Sequence, residues 1–255
     1  MYIKNNLTIE ETIDIIKDHI HRSEGLSLTR FGDGEIFLLN RNSPKYHQIR
    51  KCRHWGYKYP QEVNKLYNDT NKSLIKALKE SDIIGIMGKN NILNKKMTFK
   101  ESAWSIKKQK LISYGINPET LKITDQMISR DIRFGKISNF KEILQGKSLN
   151  IISPHTEKLK SKNLSKILEA NVTYTHHPFS INFKNKEEFI KNFKDIKSDV
   201  VLFGTGNIKD YGVELKEKYN KIAIDVGCLL DAWASIYSRD WFKKGNLQHY
   251  LIIKK

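Results

Sequence analysis

Two cysteines in 255 residues, Cys52 and Cys228, are too few and too far apart to set a disulfide framework. Reduced thiols fit a cytoplasmic protein better. No window of about 18 apolar residues occurs, which argues against a membrane-spanning helix. The opening run Met1-Tyr2-Ile3-Lys4-Asn5-Asn6 has no apolar segment, so no secretory signal peptide is expected. Repeats, low-complexity linkers and a domain boundary are all lacking. A chain of this length buries a full core without staples, and a single domain over 1–255 is expected.

Arginine is also scarce. Only 8 of the 45 basic residues are Arg and 37 are Lys, scattered along the whole chain beside abundant Ile and Asn. The formal charge of +17 draws anions generally, whether phosphates, nucleotides or an acidic surface. Arg is the better bidentate phosphate reader, so its scarcity weakens a nucleic-acid reading.

What is present is a periodic alternation. Thr8-Ile9-Glu10-Glu11 reads as a capping box opening a helix to about Arg22, with Ile9, Ile13, Ile16 and Ile20 on one stripe. Leu26 to Phe31 reads as a strand. Pro60 to Lys79 reads as a helix with Val63, Leu66, Leu74 and Leu78 inward, and Asp82 to Gly88 as a buried strand. Lys89 to Ser113 reads as helical around Trp104, and Asn117 to Thr120 as a turn. The second half repeats a strand-helix pattern: strand 149–154, helix 157–170, strand 171–175, helix 186–193, strand 199–204, helix 207–219, strand 221–225, then a helical segment 229–236. Apolar strands alternating with amphipathic helices predict an α/β fold with a mainly parallel sheet covered on both faces.

The richest motif is Thr29-Arg30-Phe31-Gly32-Asp33-Gly34-Glu35, which runs from a strand into two carboxylates bracketed by glycines. On extended or looped backbone Asp33 and Glu35 point the same way and form a divalent-metal site beyond the strand's C-terminal end. On a helix they lie about 200° apart. The alternative is that Asp33 caps a helix from Gly34 to Asn40 and Glu35 sits in its first turn. Both readings stand.

Phe203-Gly204-Thr205-Gly206-Asn207 lies between a strand and a helix, as a diphosphate cradle or as a plain turn. Ser129 and Arg130 read as phosphate or sugar ligands, or as a solvated Arg130-Asp131 pair. Ser153-Pro154-His155-Thr156 and Asp225-Val226-Gly227 end two further strands. If the strands are parallel, four strand ends then share one rim. His47, Cys52 and His54 show no recognisable zinc spacing. His176-His177-Pro178 reads as a surface loop, and Trp55, Tyr57 and Tyr59 as a stacking platform or a half-buried loop.

With these residues in view, the chain resembles the GT-D class of glycosyltransferases, a Rossmann-like family built around an Asp-x-Glu motif. Arg30 to Glu35 resembles its opening signature, Ile128-Ser129-Arg130 its central Ser-Arg element, and Ile152-Ser153-Pro154 a later strand end. The stretch from Val200 to Gly227 resembles its closing Gly-rich turn and Asp-x-Gly strand. Cys228 stands where some members carry His, and Gly204-Thr205-Gly206 replaces a Pro-containing turn, so substrate identity is not carried over.

The resemblance implies transfer of a sugar, by a hexosyltransferase-type enzyme, from a nucleotide-sugar (a UDP-sugar) to a glycan or glycoprotein hydroxyl. It implies Mn²⁺ or Mg²⁺ held by Asp33 and Glu35. Donor binding is assigned to Arg30, Gly32, Gly34, Ser129, Arg130, Ser153, Gly204, Thr205, Gly206, Asn207, Asp225 and Gly227. Either carboxylate could instead serve as general base. A cytoplasmic protein, with peripheral contact to anionic membrane and no specific nucleic acid, is the expected setting. The rivals are a metal-dependent phosphodiesterase or nuclease using the same carboxylates, and a non-catalytic nucleic-acid-binding protein whose binding survives their loss.

Overall fold

The computed structural model describes residues 6–40, 60–86, 92–93, 106–125, 138–178, 185–206 and 208–236; for 33, 34, 37, 60–67, 92–93, 125 and 138–140 the backbone alone is described. Ser129, Arg130, Asn207, Trp104 and the segment holding His47, Cys52, His54, Trp55, Tyr57 and Tyr59 lie outside the described residues, as do the side chains of Val63 and Leu66.

Helix α1 (Ile9–Arg22) opens with the expected capping box. The Glu11 N–H donates to Thr8 Oγ1 at 3.1 Å and the Thr8 N–H donates to Glu11 Oε2 at 2.6 Å. It leads into β1 (Leu26–Phe31), α2 (Asp33–Leu39), α3 (Pro60–Glu80) and β2 (Ile83–Ile86). The stretch expected to be helical around Trp104 instead contributes two short parallel strands, β3 (Ile92–Leu93) and β4 (Ile106–Lys107), and only then a helix, α4 (Lys108–Ser113). β-branched Ile92 and Ile106, which pair with each other, favour the strand pairing. Pro118–Thr120 forms a 3₁₀ turn before β5 (Ile123–Asp125).

The second half follows as α5 (Ser138–Leu144), β6 (Ser148–Ser153), α6 (Thr156–Lys160), α7 (Leu164–Leu168), β7 (Asn171–His176), α8 (Lys186–Lys191), β8 (Val200–Phe203), α9 (Tyr211–Tyr219), β9 (Ile222–Asp225) and α10 (Leu229–Trp233). The helix expected over 157–170 is broken in two, because Asn163 adopts a left-handed conformation at φ 52°. Asn tolerates that region as β-branched residues do not.

Seven strands form one sheet in the order β5-β2-β1-β9-β8-β6-β7, and every pairing in it is parallel. Strand side chains alternate between faces, and both faces are covered. Leu26, Leu28, Leu149, Ile151, Val200, Leu202, Ile222 and Ile224 pack on one side with Ile13 and Ile16 of α1, Leu159 of α6, Leu168 of α7 and Trp233 of α10. On the other side Phe31, Ile84 and Ile86 meet Leu74 and Leu78 of α3, while Val201, Phe203 and Ala223 meet Phe189, Phe193, Tyr211 and Leu215. This is the Rossmann-like arrangement that the alternating pattern predicts. Among the described residues no helix is long and apolar enough to cross a membrane.

Candidate active site at the C-terminal edge of the sheet

Parallel pairing puts every strand's C-terminal end on one edge, where open α/β sheets bind ligands. The four strands whose ends carry the sequence motifs, β1, β9, β8 and β6, are consecutive in the sheet. At a strand spacing near 4.8 Å they span roughly 14 Å. The motifs therefore converge on one continuous rim.

At the end of β1 the chain turns directly into α2, so Asp33 and Glu35 occupy the first and third positions of a helix. Of the two backbones the motif left open the helix is the one that forms, and the residue in the N-cap position is Gly32, not Asp33. Glu35 explains this start. Its Oε2 folds back to accept the Gly32 N–H at 3.0 Å, the glutamate half of a capping box. A Cβ on Gly32 would lie 2.9 Å from that oxygen, so the bare glycine lets the carboxylate close over the turn. The side chain of Asp33 lies outside the described structure.

Asp225, at the end of the adjacent β9, is 1% exposed. Its Oδ1 accepts the Gly227 N–H at 2.9 Å, and its Oδ2 accepts the Arg30 N–H at 3.3 Å and the Lys209 Nζ at 2.8 Å. Lys209 Nζ also stands 3.9 Å from Glu35 Oε1. One buried ammonium thus sits between carboxylates from two neighbouring strand ends. Arg30 reaches the same place. A Cβ on Gly227, which has φ +50°, would lie 2.5 Å from Arg30 Nη1. Only glycine allows both that backbone and that approach.

The turn after β8 is built differently from the cradle the sequence predicts. The helix starts at Tyr211, four residues beyond Asn207, behind Asp210 as its cap. Asp210 is itself buried and held by Ser73 Oγ, which donates at 2.6 Å, and by a salt bridge to Lys186. Its carboxylate is turned to these two partners and makes no cap bond to the helix. Gly204 serves packing, since a Cβ there would lie 2.6 Å from the Gly227 carbonyl. Thr205 Oγ1 donates to the Ile208 carbonyl at 3.1 Å. Gly206, at φ +69°, has nothing within 4 Å of a built Cβ and faces open space.

At the end of β6, the buried Ser153 Oγ accepts the His155 N–H at 3.1 Å and closes that turn. His155 Nε2 lies 3.6 Å from Asp231 Oδ1, which joins the β6 and β9 ends across the rim. Burial lowers the His155 pKa, partly offset by Asp231. His177 is not the surface residue expected. It is 4% exposed, its Nε2 lies 3.3 Å from Tyr211 Oη, and burial lowers its pKa to about 4.

The structure thus brings Arg30, Gly32, Glu35, Asp225, Gly227, Gly204, Thr205, Gly206 and Ser153 to one edge. Among the described residues, no group of three acidic, His or Cys side chains is arranged to hold a metal. Sequence reasoning missed Lys209 and the His155–Asp231 contact. Nothing in Ile208-Lys209-Asp210-Tyr211 marks the first as buried.

An open, all-parallel α/β sheet with its polar groups gathered beyond the strands' C-terminal ends defines a Rossmann-like enzyme scaffold. The family of GT-D fold-like domains matches residues 7–233, and the chain belongs to that GT-D-like family. Two solved structures of domain of unknown function 1792, one of them selenomethionine-substituted, are similar in fold. Each shows 20% sequence identity and a TM-score of 0.57, covering 95% of this chain and 83% of theirs. That domain is described as having a distinct glycosyltransferase fold. No curated protein matches the chain.

Proposed function

We propose that the protein is a metal-dependent glycosyltransferase of hexosyltransferase type. It moves a sugar from a nucleotide-sugar, a UDP-sugar by family resemblance, to a hydroxyl of a glycan or glycoprotein. The observation that carries this reading is the convergence of Arg30, Glu35, Lys209 and Asp225 on adjoining strand ends. Fixed cations and carboxylates gathered on one edge can bind a donor's diphosphate and sugar together.

Asp33 and Glu35 would hold Mn²⁺ or Mg²⁺, directly or through water. The donor type fits, because Glu35 Oε1 is a hard oxygen with no hydrogen bond from any described residue. The ion would act as a Lewis acid toward the departing nucleoside diphosphate. Arg30, pressed against Gly227, is a second fixed positive charge, and Gly206 leaves the backbone open to a close ligand. Arg130, Ser129, Gly34 and Asn207 complete the proposed donor set. The excess of Lys suits peripheral contact with an anionic membrane by a cytoplasmic protein.

A thermal-shift screen of nucleoside diphosphates and nucleotide-sugars, with and without Mn²⁺, tests the reading. Saturation at about 100 times Kd stabilises by roughly 2.7 kcal/mol, on the order of 5 °C for a chain of this size. Asp33→Asn and Glu35→Gln should melt close to wild type yet lose the metal-dependent shift. In the second, the amide oxygen can still take the Gly32 N–H. Stabilisation by oligonucleotides and by no nucleotide would overturn the reading.

A further inference from the structure

Lys209 has three N–H donors and its side chain is 9% exposed. Among the described residues one acceptor, Asp225 Oδ2 at 2.8 Å, lies within hydrogen-bond distance. Glu35 Oε1, at 3.9 Å, is too far for a direct bond. That oxygen in turn receives no hydrogen bond from a described residue, while its partner Oε2 is taken by the Gly32 N–H. Among the described residues an unspent donor and an unspent acceptor thus face each other, with the Lys209 side chain 9% and the Glu35 side chain 14% exposed. Buried polar groups carry a cost unless paired. A gap of 3.9 Å is spanned by a single oxygen lying about 2.8 Å from each side, with an angle near 90° at that oxygen.

The hydrogen-bond roles say what kind of oxygen. The occupant must accept from the Lys209 ammonium and donate to the Glu35 carboxylate, and an ionised phosphate oxygen has no hydrogen to donate. Asp225 Oδ2 already accepts from the Arg30 N–H and Lys209 Nζ, and Oδ1 from the Gly227 N–H. A group that both accepts and donates is required, and a hydroxyl does both. We propose that the space between Lys209 Nζ and Glu35 Oε1 holds a carbohydrate hydroxyl, accepting from Lys209 and donating to Glu35. This makes Lys209 a sugar-binding residue of the site and rests on the transferase reading. The second lone pair of Oε1 stays available to a metal ion or its water.

Isothermal titration of the full chain, as wild type, Lys209→Met and Lys209→Arg, tests it. The probes are UDP, UDP-glucose, UDP-N-acetylglucosamine, GDP and GDP-mannose in Mn²⁺, then methyl glucosides added to nucleotide-saturated protein. If the hydroxyl belongs to the donor, Lys209→Met keeps nucleoside diphosphate affinity within about threefold. It loses roughly tenfold or more on the matching nucleotide-sugar, the worth of a hydrogen bond to a charged group. If it belongs to the acceptor, nucleotide-sugar affinity is kept and glycoside binding is lost. Lys209→Arg retains the charge beside Asp225 but fills the gap. It should melt like wild type and still lose the sugar-dependent affinity, which covers a Lys209→Met chain that fails to fold. Unchanged sugar affinity in either variant overturns the inference, as does an equal loss on UDP and UDP-sugar. Wild type that binds no nucleotide overturns the transferase reading itself, and this inference with it.

Discussion

At the scale of single residues, the site depends on two glycines meeting back to back. A Cβ on Gly204 would press to 2.6 Å on the Gly227 carbonyl, and backbone cannot swing aside as a side chain can. Gly204→Ala should therefore cost about 1–3 kcal/mol, or several degrees in Tm. It should also weaken nucleotide binding, because it parts the β8 and β9 turns that carry Gly206 and Asp225. Urea unfolding and the thermal-shift assay on the same variant would check both effects; unchanged stability would mean the turns can separate freely. His177 sets a different expectation. Its pKa falls from an ordinary 6.5 to about 4 on burial, so the unfolded chain takes up a proton that the native one refuses. The stability is full above pH 6.5 and is lost as pH falls through 4, by about 3 kcal/mol in all. His177→Gln, which can still reach Tyr211 Oη, should flatten the plot of Tm against pH across that window. A slope unchanged from wild type would assign the acid limb to other groups, Glu214 among them, whose lysine partners hold its pKa down against burial. Neither His177 nor Lys209 was legible in the sequence. A histidine beside Pro178 looks like loop, and one lysine among 37 carries no mark of burial.

At the scale of elements, local chemistry was legible where it acts within a few residues. The Thr8–Glu11 box and the apolar strand runs form as their patterns predict. Thr8→Ala removes the acceptor for the Glu11 N–H and should lower stability by about 1 kcal/mol. Nucleotide binding should be untouched, because the first turn of α1 meets β5 at the outer edge of the sheet, where Thr12 Oγ1 donates to Thr124 Oγ1 at 2.8 Å, two strands away from β1. Equal loss of both would mean that α1 supports the rim. Misreadings arose where tertiary contacts override the local signal. The 3.6-residue pattern over 157–170 gave no warning of the left-handed Asn163 that divides α6 from α7. The start of α9 moves to Tyr211 because Ser73, on α3, and Lys186, on α8, hold Asp210 from elements distant in sequence. The DGE motif was read with both backbone choices open. What decides it is Glu35 capping Gly32, a side-chain contact three residues long that two flanking glycines concealed.

At the scale of the molecule, parallel topology turns scattered motifs into one site. Residues as distant as Arg30 and Asp225 become neighbours only because β9 pairs with β1, a pairing with no trace in local sequence. The overall charge of +17 acts on the same scale, as a field rather than a contact. Each Lys near an anionic surface contributes about 1 kcal/mol at physiological salt, decaying within a Debye length. The excess therefore predicts binding to vesicles rich in phosphatidylserine and none to pure phosphatidylcholine. Raising salt from about 0.1 to 1 M shortens the screening length from roughly 10 to 3 Å and should release the protein. Lys209→Met should co-sediment like wild type, because a buried lysine paired with Asp225 adds little to the outer field. Sedimentation with these vesicles, run beside an oligonucleotide of equal phosphate concentration, separates the two partners the charge allows. Stronger, salt-sensitive retention by the oligonucleotide would place the lysines on nucleic acid. Retention by the anionic vesicles alone would place the lysines on a membrane surface.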